Sequence, residues 1–335
     1  MSAVSALGDT SQSLAARLTE LVAAAVGERV AVSGLRRLSG GTSRETWSFD
    51  AVAGARRWPL VLRRDAPGVP STTMLLEARC LEAAASAGVP VPRVLAASDD
   101  PAALGASFLL MERIEGETIP RRILRDEGFA EARRRLAGQC AAALAGIHTI
   151  DGSTLEGLED EDPLARWRRA LDELGSPHPA FELAFRWLEA HRPPPRRRSL
   201  VHGDFRVGNL VVGPDGLRAV LDWELAHLGD PMEDLGWFCV RAWRFGNDRL
   251  PAGGIDTYDT LVRAYEVASG AEVDRDALLW WETMGTLTWG ILCGVQAARH
   301  TSGAVRSVEL AAIGRRVCEN EWDVLDCLER AGWPG

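Results

Sequence analysis

Three polar residues near the middle of the chain have the types and spacing that phosphoryl transfer requires. Asp204 and Asn209 are five positions apart, and Asp222 ends the next apolar run. A carboxylate can accept the proton of an attacking hydroxyl. An amide oxygen and a second carboxylate are hard ligands that suit Mg²⁺. This spacing therefore predicts a base and a metal site for phosphoryl transfer.

Taken alone, His202, Asp204 or Asn209 would be explained better by a turn, because Asp, Asn and His are common in turns. Short apolar runs precede and follow residues 202–209, so the polar loop is expected to lie between two strands. Its joint spacing with Asp222, and with a glycine-rich segment far upstream, favours the catalytic interpretation. His202 is expected to hydrogen-bond the loop backbone rather than to transfer protons.

The 335-residue sequence contains no lysine, so all 38 of its basic residues are arginine. A phosphate-binding loop of the G-K-[ST] type and Schiff-base catalysis both need a lysine amine, and both are therefore excluded. Any fixed positive charge that holds phosphate groups must come from arginine.

The first 115 residues have the pattern of a small antiparallel α+β lobe behind an amphipathic leading helix. A glycine-rich segment and a turn at Gly54 join the first three strands, and Gly88 follows a helix. The predicted helices are 13–26 and 72–87, and the predicted strands are 30–38, 45–49, 58–63, 93–97 and 107–113. We therefore predict a first lobe over residues 1–115.

Residues 116–335 are mainly helical in pattern. Helices are expected at 129–150, 163–174 and 180–190, and from Pro231 to the end. Two short strands, 210–212 and 217–221, should flank a turn at Gly213 to Gly216. A strand-rich lobe followed by a helix-rich lobe suggests a cleft between the two.

Charge and cysteine usage limit the compartment and the partners. The net charge is −9, and the first 200 residues are neutral, so the acidic excess lies in residues 201–335. This argues against a nucleic-acid partner. No apolar run is long enough to span a membrane, and residues 1–10 lack a secretory-signal pattern. The 6 cysteines show no C-x-x-C spacing. We expect a cytoplasmic protein with reduced, mostly buried thiols.

The motifs resemble those of the aminoglycoside phosphotransferase-like superfamily. His202-Gly203-Asp204 with Asn209 matches its catalytic loop, and Asp222-Trp223-Glu224 followed by Gly229-Asp230-Pro231 matches its metal-binding segment. The resemblance runs from about Leu35 to Asp326 and is most similar to the kinase domains fused to some acyl-CoA dehydrogenases. It implies a bilobal α+β protein-kinase-like fold, with a small antiparallel-sheet N-lobe and a larger helical C-lobe.

The resemblance also implies roles for individual residues. Asp204 would be the catalytic base, and Asn209 and Asp222 would bind Mg²⁺. Asp230 and Asp234 would hold the catalytic loop and the next helix. ATP, or GTP, would be held between the lobes. Its phosphates would face the backbone N–H groups of a loop formed by Ser39, Gly40, Gly41, Thr42 and Ser43, although a plain hairpin turn would also explain these residues.

The strand over residues 60–63 should place Val61 and Arg63 on one face. By the resemblance, Val61 would lie over the base and Arg63 would occupy the position of the usual lysine. Arginine can grip two oxygens at once, so this exchange is not conservative. Glu77 is the expected partner of Arg63, although the two could form an ordinary surface pair. Arg64 would take the role if the strand register were shifted by one residue.

The segment around Met111, Glu112 and Ile114 matches the connection between the lobes. The resemblance implies that adenine hydrogen-bonds the backbone of Glu112 and Ile114. The hydroxyl acceptor should bind in the helical lobe, where five tryptophans occur, although indoles at near-helical spacing are more often core residues. These are Trp237, Trp243, Trp280, Trp281 and Trp289.

Two acceptor types remain open. A cationic acceptor, such as an aminoglycoside, would favour the acids Glu233, Asp256, Asp259 and Glu282. A hydroxyacyl-type acceptor linked to coenzyme A would need basic contacts, for which Arg121, Arg122 and Arg125, or Arg196 to Arg198, are candidates.

The expected activity is Mg²⁺-dependent transfer of the γ-phosphate of ATP to a small-molecule hydroxyl. A catalytically inactive, nucleotide-binding pseudokinase is the alternative, and the missing lysine is its support. No nucleic-acid or membrane partner is expected, and the protein should be a monomer or a homodimer.

Overall fold

The computed structural model describes residues 2–38, 44–65 and 74–333, with side chains from residue 13 onward. Two units make up the chain. Unit 1 comprises Met1–Gly116, Leu155–Gly157 and Arg218–Glu224, and unit 2 comprises Glu117–Thr154, Leu158–Leu217 and Leu225–Gly335. Within the described ranges, no helix combines the length and the apolar character needed to cross a bilayer.

Unit 1 carries an antiparallel sheet together with helices. Its elements are α1 (Ser2–Val26), β1 (Ala31–Arg37), β2 (Arg44–Ala53), β3 (Arg56–Asp65), α2 (Met74–Ser86), β4 (Val94–Ser98) and β5 (Phe108–Glu112). The five-stranded sheet has the order β1-β2-β3-β5-β4, and each neighbouring pair is antiparallel. The antiparallel α+β character predicted for the start of the chain is confirmed.

Helix α1 contributes an apolar stripe to the core of unit 1. Leu14, Leu18 and Val22 recur every four residues, are at most 3% exposed, and belong to one buried cluster with Phe49 and Leu62. Four-residue spacing places these side chains on one helix face. Burying each side chain stabilises the fold by about 2 kcal/mol. The helix begins at Ser2, well before the predicted residue 13.

The residues of strand β3 alternate between a buried face and a partly buried face. Leu60, Leu62 and Arg64 are buried, whereas Val61 and Arg63 are only partly buried. Successive side chains of a strand point to opposite faces, so Val61 and Arg63 share a face. This is the predicted register, and Arg64 lies on the other side.

Unit 2 contains most of the helices. Its helices are α3 (Pro120–Arg125), α4 (Ala130–Thr149), α5 (Pro163–Leu174), α6 (Pro179–Ala190), α7 (Met232–Cys239), α8 (Tyr258–Ser269), α9 (Arg275–Thr301), α10 (Val308–Gly314) and α11 (Val317–Arg330). The later strands of the chain are β6 (Ser199–Val201), β7 (Leu210–Gly213), β8 (Gly216–Val220) and β9 (His227–Gly229). The α+β fold class is confirmed. Strand β9, which pairs with β6, was not predicted because three residues are too few to show alternation.

Helices α7 and α9 approach each other closely, and this contact fixes α7. A Cβ atom on Gly236 would lie 2.5 Å from the carbonyl carbon of Trp281, so only glycine fits there. Helix α7 carries Asp234 and Trp237. Its packing against α9 therefore sets where these two side chains stand.

Candidate active site

The Asp204 carboxylate lies at the centre of a hydrogen-bond network in unit 2. Asn209 Nδ2 donates to Asp204 Oδ2 at 2.6 Å and to the Asp204 carbonyl oxygen at 2.9 Å. Arg206 Nε and Trp237 Nε1 both donate to Asp204 Oδ1 at 2.9 Å. The structure thus brings the predicted base and one predicted metal ligand into direct contact.

Asp234 holds the start of this loop, as predicted. Its Oδ2 accepts the His202 backbone N–H at 2.8 Å, and its Oδ1 accepts that of Gly203 at 2.9 Å. His148 Nε2 lies 3.2 Å from Asp234 Oδ2. Burial alone would raise the pKa of Asp234, but the hydrogen bonds and charge of these neighbours keep that pKa below its ordinary value. The carboxylate therefore remains charged and keeps the loop backbone in place.

His202 has the backbone-supporting role predicted for it. Its ring is fully buried, and its Nδ1 accepts the backbone N–H of Asp204 at 3.2 Å. Asp230 supports the start of the next helix, because its Oδ1 accepts the Met232 backbone N–H at 2.9 Å. Both contacts stabilise the backbone around Asp204.

Gly203 allows the sharp turn that presents Asp204. Its φ of +79° is in the left-handed region, and a Cβ atom there would lie 2.4 Å from the Leu225 carbonyl oxygen. Any side chain would be both strained and in collision. The glycine before Asp204 is therefore a geometric requirement of the loop.

Unit 1 holds a second charged group, built around Arg63. Arg63 Nη1 donates to Glu77 Oε2 at 2.8 Å, and Nη2 donates to Asp222 Oδ1 at 2.8 Å. Glu77 is 1% exposed. Burial alone would lower the pKa of Arg63, but the charges of Glu77, Asp222 and Glu224 raise it. The predicted ion pair of Arg63 with Glu77 is present and buried, not an ordinary surface pair.

Arg44 and Glu224 complete this group, and Arg44 was not among the residues predicted from the sequence. Arg44 pairs with Glu77, with Asp65 at 3.3 Å and with Glu224 at 3.3 Å. Burial raises the pKa of Glu224, and the neighbouring Asp222 carboxylate raises it further. Two guanidinium groups thus face four carboxylates, which leaves an excess of negative charge.

The backbone of Asp222 is unusual. Its φ is +67°, a left-handed value that few residues other than glycine adopt. Trp223 beside it is 2% exposed, and its indole N–H donates to the Val220 carbonyl oxygen at 3.3 Å. Strain of this kind persists where the surroundings enforce it, often at functional sites. The buried indole of Trp223 is one such constraint on Asp222.

The sheet brings Val61 and Met111 together. They are directly opposite each other in the pairing of β3 with β5. Met111 is 8% exposed.

The backbone N–H of Glu112 donates to the Arg93 carbonyl oxygen at 2.9 Å. Within the described part of the chain, no residue accepts a backbone hydrogen bond from Ile114. Arg64, on the opposite face, pairs with Glu45 at 2.7 Å instead.

The predicted loop of Ser39, Gly40, Gly41, Thr42 and Ser43 lies outside the described residues. The remaining predicted ligands fit Mg²⁺ chemically. Asn209 turns its amide nitrogen to Asp204, which leaves its carbonyl oxygen without a hydrogen bond from any described residue. Amide oxygens and carboxylates are both oxygen donors of the kind Mg²⁺ prefers.

A cavity of about 550 Å³ lies in unit 2 and is lined by Gly203, the residue before Asp204, and by Trp237. Its apolar lining includes Trp280, Trp281 and Met284. The indole N–H of Trp281 is buried and has no hydrogen-bond partner among the described residues. The charged lining is mixed: Glu159, Glu161, Asp162, Arg166, Arg192, Arg196, Arg198, His227, Asp230 and Glu233.

Most of the predicted tryptophans are buried in the core. Trp237, Trp243, Trp280 and Trp281 are each at most 7% exposed, and three of them also line the cavity. Glu282, a candidate contact for a cationic acceptor, is 2% exposed and is held by Arg244 and Arg330, each at 2.9 Å. Its carboxylate is therefore engaged in the core, and of the four candidate acids only Glu233 lines the cavity.

The fold and the loop together define a kinase-like phosphotransferase architecture, and the comparisons with known proteins agree. Residues 34–278 match the model of the phosphotransferase enzyme family, so the chain belongs to that family. The chain is similar to a candidate aminoglycoside phosphotransferase from Ralstonia eutropha JMP134, with 23% identity, a TM-score of 0.73 and coverage of 93% of this chain and 98% of that one. The predicted protein-kinase-like fold is confirmed.

A second solved structure with this fold is a thermostable aminoglycoside phosphotransferase mutant in complex with ADP and hygromycin B. It has 19% identity and a TM-score of 0.58, with coverage of 91% of this chain and 98% of that one. Among curated proteins, acyl-CoA dehydrogenase family member 10 of Mus musculus is 38% identical over 200 residues, which are 54% of this chain and 18% of that protein. The predicted resemblance is confirmed, and the chain spans under a third of such relatives.

Proposed function

We propose that the protein transfers the γ-phosphate of ATP to a hydroxyl group of a small molecule in a Mg²⁺-dependent reaction. The observation that carries this proposal is the Asp204 carboxylate, in hydrogen-bond contact with Asn209 at 2.6 Å inside a loop held by Asp234. A base and a metal ligand in contact at this spacing form the central pair of a phosphoryl-transfer site.

Asp204 would orient the acceptor hydroxyl and take its proton. Proton transfer to a positioned carboxylate contributes about 10²- to 10⁴-fold to rate. Asn209 and Asp222 would hold Mg²⁺, which when bound neutralises phosphate charge. The excess negative charge around Asp222 supports binding of a divalent cation there.

Arg63 would supply the cation that other kinases take from lysine. Its planar guanidinium already contacts Glu77 and Asp222, and its N–H groups that have no partner among the described residues could bind phosphate oxygens. The Ile114 backbone N–H is a donor without a partner among described residues, which supports adenine binding at that segment. The residues 39–43 complete the proposed nucleotide site, and GTP is the alternative donor.

The cavity in unit 2 is the proposed acceptor site, because Gly203 and Trp237 of its lining adjoin or contact Asp204. Its apolar surface of Trp280, Trp281 and Met284 suits a carbon skeleton. Its mixed charges are compatible with either an aminoglycoside-like or a hydroxyacyl-type acceptor. Arg196 and Arg198 would contact the latter.

The test is ADP formation with Mg²⁺ and ATP across a panel of aminoglycosides, amino alcohols and hydroxyacyl thioesters. Asp204→Asn should lower kcat by about 10²- to 10⁴-fold, while nucleotide still raises the melting temperature. Asp172→Asn changes an exposed carboxylate of α5 and should leave kcat unchanged. Equal turnover by wild type and Asp204→Asn would refute the proposal. Nucleotide- and Mg²⁺-dependent stabilisation without turnover of any acceptor would favour the inactive pseudokinase.

A further inference from the structure

Trp237 touches the Asp204 carboxylate from a helix far away in sequence. The indole Nε1 of Trp237, in α7, donates to Asp204 Oδ1 at 2.9 Å. Hydrogen bonds to a charged acceptor are stronger than those between neutral groups. The Trp237 indole therefore does more than fill the core, because it fixes one oxygen of the candidate base.

The two carboxylate oxygens of Asp204 differ in how many donors they receive. Oδ1 receives Trp237 Nε1 and Arg206 Nε, both at 2.9 Å. From the described residues, Oδ2 receives only Asn209 Nδ2, at 2.6 Å. Each carboxylate oxygen offers about two lone-pair sites. Oδ1 is therefore saturated, and Oδ2 retains one site for a further donor.

The indole of Trp237 is held rigidly. A Cβ atom on Gly285 would lie 3.3 Å from Trp237 Cε3 and 2.9 Å from Val240 Cγ2, so α9 leaves no space behind the ring. The centroids of the Trp237 and Trp243 rings are 5.3 Å apart. A donor on so tightly packed a ring fixes the direction of its hydrogen bond.

Arg206 is supported in the same way. Its guanidinium carbon lies 4.9 Å from the centre of the Trp243 ring, within the range of a cation–π contact. The two donors to Oδ1 therefore come from side chains that are themselves held by aromatic packing. Rotation of the Asp204 carboxylate would break both bonds at once.

We propose that Trp237 is a positioning residue that turns Oδ2 of Asp204 toward the acceptor. This inference rests on the proposed phosphotransferase function. Oδ2 takes the proton of the acceptor hydroxyl while the hydroxyl oxygen forms its bond to the γ-phosphorus. The bond from that phosphorus to the bridging oxygen breaks, and ADP leaves with the electron pair. Trp237 sets the geometry of Asp204 and does not itself react.

The kinetic test compares Trp237→Phe with Trp289→Phe. Both variants remove an indole N–H from the same aromatic cluster, but that of Trp289 has no partner among the described residues. Trp237→Phe should lower kcat by about 10- to 100-fold, the equivalent of one charged hydrogen bond, with KM for ATP unchanged. Trp289→Phe should change neither constant. An unchanged kcat in Trp237→Phe would overturn the inference.

A spectroscopic test works without turnover. In ¹⁵N-tryptophan-labelled protein, the indole N–H signal of Trp237 is identified by its loss in Trp237→Phe. In Asp204→Ala it should move upfield, because the charged acceptor is gone, while the Trp289 signal stays in place. A Trp237 signal unmoved by Asp204→Ala would refute the hydrogen bond. A wild type without turnover but with this shift would refute the proposed function and leave the contact with Asp204 established.

Discussion

Arg63 contacts Glu77 at 2.8 Å, where the lysine-free chain places a guanidinium beside a carboxylate that is 1% exposed. A second nitrogen of the same guanidinium reaches Asp222 at 2.8 Å. A lysine ammonium is a single point of charge, so it could not span both carboxylates in this planar way. Arg63 therefore gives this charged group a geometry that a lysine at the same position could not provide.

Arg63→Met should destabilise unit 1, because among the described residues it leaves the buried Glu77 carboxylate with Arg44 as its remaining ion-pair partner. Removing one partner of a buried ion pair costs about 3 kcal/mol. Arg57→Met is the matched control in the same strand, since the Arg57 side chain is 62% exposed and its solvent-screened pair with Asp50 should contribute little to stability. Urea unfolding of both variants measures the difference. Equal losses would contradict a buried, structurally important Arg63.

Gly203→Ala should lower the free energy of unfolding more than Gly88→Ala, although the two glycines have nearly the same φ. Gly203 has φ +79° and a Cβ position 2.4 Å from the Leu225 carbonyl oxygen, whereas Gly88 has φ +78° and no atom within 4 Å. Gly88→Ala should cost about 1 to 2 kcal/mol for the backbone angle alone. Gly203→Ala adds the collision, for about 3 to 4 kcal/mol in all. If denaturant unfolding gave the same loss of stability for Gly203→Ala and Gly88→Ala, the close approach of Gly203 to Leu225 would be disproved.

The reliably predictable parts of the molecule were local in sequence. Asp204, Asn209 and their flanking strands stand within a few residues of one another, so spacing alone indicated the loop. The register of Val61 and Arg63 followed from strand alternation. The sheet and most helix bounds followed from apolar periodicity.

The missed contacts join residues that are far apart along the chain. Trp237 reaches Asp204 across 33 positions, and Arg44 reaches Glu77 across the same number. Nothing in the local pattern distinguishes a tryptophan that donates to a carboxylate from one that only fills space. The presence of Gly236 beside Trp237 was the available signal, because a glycine inside a helix often marks a close approach.

The reactivity of the six cysteine thiols tests whether the side chains buried in each unit are shielded from solvent. Five of the six cysteines are buried, and only Cys318 is exposed. Burial raises the pKa of Cys80 to about 12 and that of Cys293 to about 12, so these thiols resist deprotonation. A thiol-specific chromogenic reagent should modify one cysteine in the native protein, none in Cys318→Ser, and all six after unfolding. Rapid reaction of a second native thiol would contradict the packing.

Ionisation of His227 should make the free energy of unfolding change with pH in the alkaline range. Its Nε2 lies 3.2 Å from Glu233 Oε2; burial alone would lower the pKa of His227, but that carboxylate raises it to about 9. The folded protein thus holds this proton more tightly than the unfolded chain, which corresponds to about 3 kcal/mol. This stability is fully present below about pH 6 and is lost as pH rises through about 9. Denaturant unfolding should show His227→Gln less stable than wild type at pH 6 but equal to it near pH 10, whereas the exposed His191→Gln should differ from wild type by the same amount at both pH values. A His227→Gln deficit that persists at high pH would show that its charge is not the cause.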